Sequence, residues 1–272
     1  MNFRFSFSSR ALMLAAALFT ISVASSSALA QRTAIPRPEV QGGGVNRQQR
    51  QGIPPHSQPT GIGRTNTHTP ILPGMNTQNN LNLKASEAIR FGDEARQSTP
   101  PDYMTAISWY ELALMTDAGE ARAYVGMGQV FGATEQYEAA ASAYQQAIAL
   151  KPKMVEAHVG LGNALLKQAR YDEAMESFQK AISLKPKTAE AHLGLADCRF
   201  IKRQYAQAAE SYRKAVESNS KSLPANYRLG ITYLLLDNRE AAVAQHNILK
   251  SLDKDTAARF EAMLNQQPAV DK

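Results

Sequence analysis

The sequence predicts an all-α protein, an array of about five helical hairpins with a further helix at the C-terminal end. Three observations predict it. Val155–Thr188 is written again 34 residues later, so that His158 returns as His192, Leu161 as Leu195, Ala174 as Ala208 and Ala181 as Ala215. From Leu83 onward the apolar residues fall at helical spacing, and no alternating pattern lasts long enough for a strand. Pro152 and Pro186 stand at one point of the repeat, where proline ends one helix and starts the next unit.

Residues 1–30 read as a signal peptide. Arg4 and Arg10 precede the apolar run "ALMLAAALFTISVA", which is short for a membrane span, and "SALA" supplies the small residues of a cleavage site with Gln31 as the new N-terminus. The chain is therefore expected to be exported, to the periplasm first and to the exterior next. No transmembrane segment is expected in the mature chain.

Residues 31–82 form the second segment. Seven of the 13 prolines and seven of the 16 glycines lie between Gln31 and Asn80, and no aromatic ring of Phe, Tyr or Trp occurs between Phe19 and Phe91. Such a stretch buries too little apolar surface to offset the loss of backbone entropy on ordering, about 1–2 kcal/mol per residue. It reads as a disordered basic linker. The formal charge of +6 divides as +2 in residues 1–30, +5 in 31–84 and −1 in the rest, so the repeat body is near neutral. That balance, with no aromatics for base stacking in the linker, excludes nucleic acid as a partner.

The repeats follow in order: a degenerate unit over 85–120, then 121–154, 155–188, 189–222 and 223–256, with a closing amphipathic helix over 257–267, within and just after the stretch "DTAARFEAMLNQ" that begins at Asp255. Within a unit, bulky residues at the fourth position (Tyr124, His158, His192) and the seventh (Met127, Leu161, Leu195, Leu229) are expected to face the second helix. Small residues at the eighth (Gly128, Gly162, Ala196, Gly230) let the backbones approach, as do Ala140, Ala174, Ala208 and Ala242. An aromatic at the twenty-fourth (Tyr144, Phe178, Tyr212) fills the space beside them. One hairpin buries little alone, so neighbours must stack.

These positions together resemble the tetratricopeptide repeat over about two thirds of the chain, most closely at "AHVGLGNALL…YDEAMESFQKAISLKP". The resemblance implies a right-handed superhelical array, no enzymatic activity and no cofactor, and a protein partner held in a concave groove lined by the first helices. Two departures stand out. The turn glycine of the family is replaced by Glu135, Ala169, Arg203 and Asp237, and its terminal proline by Ser220 and Lys254, so slightly altered turns are expected there.

Chemistry is sparse. His158 and His192 recur at a packing position, about 8–10 Å apart across stacked helices, too far to share a metal, and no zinc-spaced cluster accompanies them. No catalytic motif or phosphate loop is present. Cys198, the single cysteine, sits in an apolar helical pattern as a small hydrophobe. The family's carboxylate clamp of Lys, Arg and Asn is absent, its positions being mainly Val, Gly, Glu and Pro. Repeat phase places the groove at Val159, Asn163, Leu193, Asp197, Phe200, Tyr227, Arg228, Ile231 and Leu234, apolar toward the C-terminal half, with Arg228 free to pair with a partner's carboxylate. The same phase leaves a second possibility open, that some of these apolar residues face a neighbouring or closing helix. The function expected is an exported scaffold or adaptor. The alternatives are an accessory subunit of a cell-envelope enzyme or secretion machine, and a surface protein whose basic linker touches anionic polymers. The partner and the oligomeric state are not legible.

Overall fold

A computed structural model describes residues 83–266; the expected signal peptide and the whole of the linker lie outside the described residues. Among the described residues there are eleven α-helices and no strand. They are α1 (Ala85–Gln97), α2 (Tyr103–Thr116), α3 (Ala121–Ala133), α4 (Tyr137–Leu150), α5 (Val155–Lys167), α6 (Tyr171–Leu184), α7 (Ala189–Ile201), α8 (Tyr205–Ser218), α9 (Leu223–Leu235), α10 (Arg239–Leu252) and α11 (Lys254–Gln266). Odd and even helices pair as hairpins, and each hairpin packs on the next through its second helix.

What draws the hairpins together is a ring set between small residues. A Cβ added to Gly162 would stand 2.6 Å from Phe178, and one added to Gly194 of the next hairpin 2.2 Å from the same ring. Real Cβ contacts are never that close, so the absence of side chains at both points is what lets α6 seat its ring between α5 and α7. Tyr110 lies in the same way between Gly92 and Gly126, and Tyr144 between Gly128 and Gly160. Phe178 and Tyr110 are fully buried. The core is consequently a row of such notches, with Ala106, Ala140, Ala174 and Ala208 at zero exposure beside them.

The turns depart from expectation. Glu135, Ala169, Arg203 and Asp237 themselves adopt the left-handed conformation, with φ of 61°, 60°, 60° and 56°. The turns are unaltered because two bonds close each one: Gln136 N–H donates to Phe131 O at 2.8 Å and Glu135 N–H to Gly132 O at 3.2 Å, and the same pair recurs after α5, α7 and α9. This is the 6→1 and 5→2 pattern that ends a helix on a left-handed residue. In the first hairpin the turn spans Ser98–Asp102 rather than three residues, and Asp102 caps α2 through Thr105 N–H at 3.1 Å.

Loss of proline has a different result at each of its two sites. At Ser220 the inter-unit turn persists. At Lys254 it vanishes, because a single residue, Asp253, separates α10 from α11, and α11 begins at Lys254 rather than at residue 257.

The histidines are held by the preceding turn. His158 Nε2 lies 2.9 Å from Pro152 O and His192 Nε2 2.8 Å from Pro186 O, so each ring carries its proton on Nε2 and donates to a carbonyl. Asn226, at the same register, donates to Ser220 O at 3.0 Å. These are turn clamps.

Candidate partner-binding face

Successive first helices pack on each other (α1 on α3, α3 on α5, α5 on α7, and α9 on α11), whereas no pair of second helices does so to a comparable extent. The array is therefore tighter on the side of the first helices, and their free flank is its inner face. Ninth-position residues mark that flank: Asp93 on α1, Gln129 on α3, Asn163 on α5, Asp197 on α7 and Ile231 on α9.

The row has tied ends and a free middle. Asp93 accepts the Tyr110 hydroxyl at 2.8 Å and pairs with Arg96 at 3.3 Å and Arg122 at 3.9 Å. Asp197 accepts the Tyr212 hydroxyl at 2.7 Å and pairs with Arg228. Burial pushes the Asp197 carboxyl up, against the downward pull of Arg228 and the Tyr212 hydrogen bond. Burial, with Asp197 beside it, holds the Tyr212 phenol well above its ordinary value, and burial, with Asp93 beside it and against the pull of Arg96, lifts Tyr110 to about 12. Between these ends the carboxamides of Gln129 and Asn163 are exposed, with no hydrogen-bond partner among the described residues. Leu193 beside them is half-buried and Lys167 is exposed. This middle stretch offers hydrogen-bonding amides and some apolar surface, and the charges flanking it are already compensated.

The remaining groove residues are placed otherwise than expected. Ile231 and Leu234 are 0% and 1% exposed, on the helix against which α11 packs. Tyr227 is 9% exposed and meets the Phe260 ring edge-on at 6.0 Å. Phe260 itself fills the notch above Gly230, where an added Cβ would meet it at 2.7 Å. Phe200 is half-buried against Tyr205 at 5.4 Å and Tyr212 at 6.5 Å, within its own hairpin. Val159 is buried at 6%. Arg228 is engaged by Asp197 rather than free for a partner. Of the nine residues, Asn163 and Leu193 remain on the open flank, with Asp197 and Arg228 at its edge.

Sequence reasoning expected a closing helix and left open that groove residues face it, but it did not place Phe260 in the last notch, although a signal existed. The fifth unit carries His246 where the others carry an aromatic ring, so its glycine notch had no occupant until another element supplied one. The tie between Asp197 and Tyr212 was legible only as two residues fifteen apart on facing helices of one hairpin.

Among the described residues no group of three or more His, Cys, Asp or Glu is placed to hold a metal ion. The Cys198 thiol is fully buried and pushed up to about 12 by that burial, so it is an inert core side chain. Among the described residues no helix is long and apolar enough to cross a membrane.

Comparison with known proteins agrees with the geometry. A tetratricopeptide-repeat family profile matches residues 125–187 and again 176–227. Solved structures of similar architecture include YrrB, described as a TPR protein with an unusual peptide-binding site, at 24% identity over 66% of this chain and 92% of that one (TM-score 0.53). MamA (41-end) from Desulfovibrio magneticus RS-1 is 17% identical over 63% of this chain and 96% of that one (TM-score 0.55). Pseudomonas aeruginosa pilF is 19% identical over 67% and 90% (TM-score 0.59). At such identities the likeness is one of fold. No curated protein matches the chain significantly.

Proposed function

Given that the chain is a tetratricopeptide-repeat protein, we propose that it is an exported, non-enzymatic scaffold that binds a segment of a partner protein along the inner flank of α3, α5 and α7. The observation that carries this is the free middle of the ninth-position row. Gln129 and Asn163 present carboxamides with no partner among the described residues on successive first helices, beside the half-buried Leu193. Amide side chains both donate and accept, so they suit the N–H and C=O groups of an extended main chain. Precedent for segment binding in this fold comes from YrrB and its peptide-binding site. Export rests on the N-terminal sequence pattern alone, with the periplasm as the compartment.

The test uses the full chain produced with its leader in a bacterial host. A photo-crosslinking residue at Asn163, on the inner flank, is compared with one at Gln179, exposed on the second helix α6. The reading expects one discrete adduct from position 163, lost in Gln129→Ala, and none from position 179. Adducts from 179 alone would move the binding face to the second helices. Recovery of the chain only in the cytoplasm, with its leader intact, would contradict export.

A further inference from the structure

The notch that joins hairpins is broken at one seam. Sixth-position residues of the first helices receive the ring from the preceding hairpin, and they are Gly126, Gly160 and Gly194 at the first three seams. At the fourth, the residue is Arg228. An arginine also stands at this register in α1, as Arg90, but α1 has no preceding hairpin, and there the guanidinium lies exposed over Phe91 at 4.8 Å. Arg228 stands inside the array, facing Tyr212.

Two consequences are visible. First, α7 and α9 do not pack against each other as the other successive first helices do, whereas α8 and α9 remain packed as at the other seams. Tyr212 of α8 and Leu229 of α9 belong to one apolar cluster that also takes in Ala196 of α7, so this seam is closed by apolar packing about the Tyr212 ring. Secondly, the open side is bridged by polar groups: the Tyr212 hydroxyl and the Arg228 guanidinium both converge on Asp197. The Arg228 side chain is 35% exposed and that of Asp197 18%, so this bridge is half-buried.

A seam closed by apolar packing and spanned along one edge by a half-buried ion pair is a hinge with a latch. We propose that α9, α10 and α11 move as one body against the preceding hairpins, pivoting on the α8–α9 contact, with Asp197–Arg228 as the latch that sets how far the inner face opens. The three helices hold together through their own contacts, since Phe260 of α11 fills the Gly230 notch and Arg239 donates to Leu264 O at 2.8 Å. The inference concerns the array itself and stands whether or not the proposed binding face is correct.

Paired spin labels read it directly. Glu156→Cys with Pro224→Cys spans the latched seam, and Arg122→Cys with Glu190→Cys spans the same number of hairpins across closed seams; all four sites are exposed, and Cys198 is buried and does not label. The pair spanning the latch should give the broader distance distribution. Asp197→Asn should broaden it further, high salt should act in the same direction, and Arg228→Gly should narrow it by restoring the notch; the control pair should respond to none of these. Circular dichroism on each variant separates a moved hinge from a lost fold. Equal widths for the two pairs, unchanged by Asp197→Asn with helicity intact, would overturn the hinge.

Discussion

The central hairpins and the last one carry the same inner-face register and put it to opposite uses. Across α3, α5 and α7 the ninth position is Gln129, Asn163 and Asp197, polar and at least partly open to water. On α9, the helix α11 packs against, it is Ile231, fully buried, as is Leu234 one turn on. Repeat phase tells which residues point inward, but an inward-pointing apolar residue is equally suited to a partner or to another helix of the same chain. Here the chain's own helix takes the apolar part and leaves the amide-lined part free.

The largest expected effect comes from removing the cover. Phe260→Ala leaves the Gly230 notch empty and loosens α11, at a cost of about 3–5 kcal/mol. Chemical denaturation should show the loss, and an apolar dye should bind the variant more than the parent as Ile231 and Leu234 come into water. A change of stability under about 1 kcal/mol would mean that α11 does not carry the fifth hairpin.

Next comes a contrast at one register point. Gly194→Ala drives a Cβ against Phe178 and should cost about 1–3 kcal/mol. Arg228→Ala removes a half-buried ion pair at the same position, but leaves the small side chain of a notch facing Tyr212 and should cost less. Thermal melts of the two variants decide it. A reversed order would remove the distinction between closed and latched seams.

A smaller effect sharpens the account of the turns. Ala169 is held at φ 60°, where a side chain costs about 1–2 kcal/mol. Ala169→Gly removes that cost against a gain of about 0.4–1 kcal/mol in unfolded-state freedom, so the melting temperature should rise slightly. Least of all, Asn163→Ala should leave stability within about 0.5 kcal/mol, because the amide has no partner among the described residues, while the crosslinked adduct on that face weakens.

Much of this architecture was legible because it is periodic. A position repeated every 34 residues with one kind of side chain announces a shared environment, which is how Gly128, Gly162 and Phe178 betrayed the notches. Three things were not legible, each for a physical reason. The left-handed turns at Glu135 and its counterparts are imposed by two helix-end hydrogen bonds, so they survive the loss of the glycine that would have signalled them. His158 and His192 look like packing residues, and their bond to a proline carbonyl six residues earlier depends on the path of the turn. The closing helix shifts out of register at Lys254, and a break in periodicity is where periodic reasoning has least to say.

The comparison between the two parts of the inner face is tested most directly by hydroxyl-radical footprinting of the intact, unmodified chain. Leu193 and Ile201, half-buried and 48% exposed, should be oxidised, while Ile231 and Leu234 should stay protected until α11 is removed by truncation after Asp253. Oxidation of Ile231 and Leu234 in the intact chain at the rate of Leu193 would contradict the account, because the apolar half of the face would then be as open as the polar half.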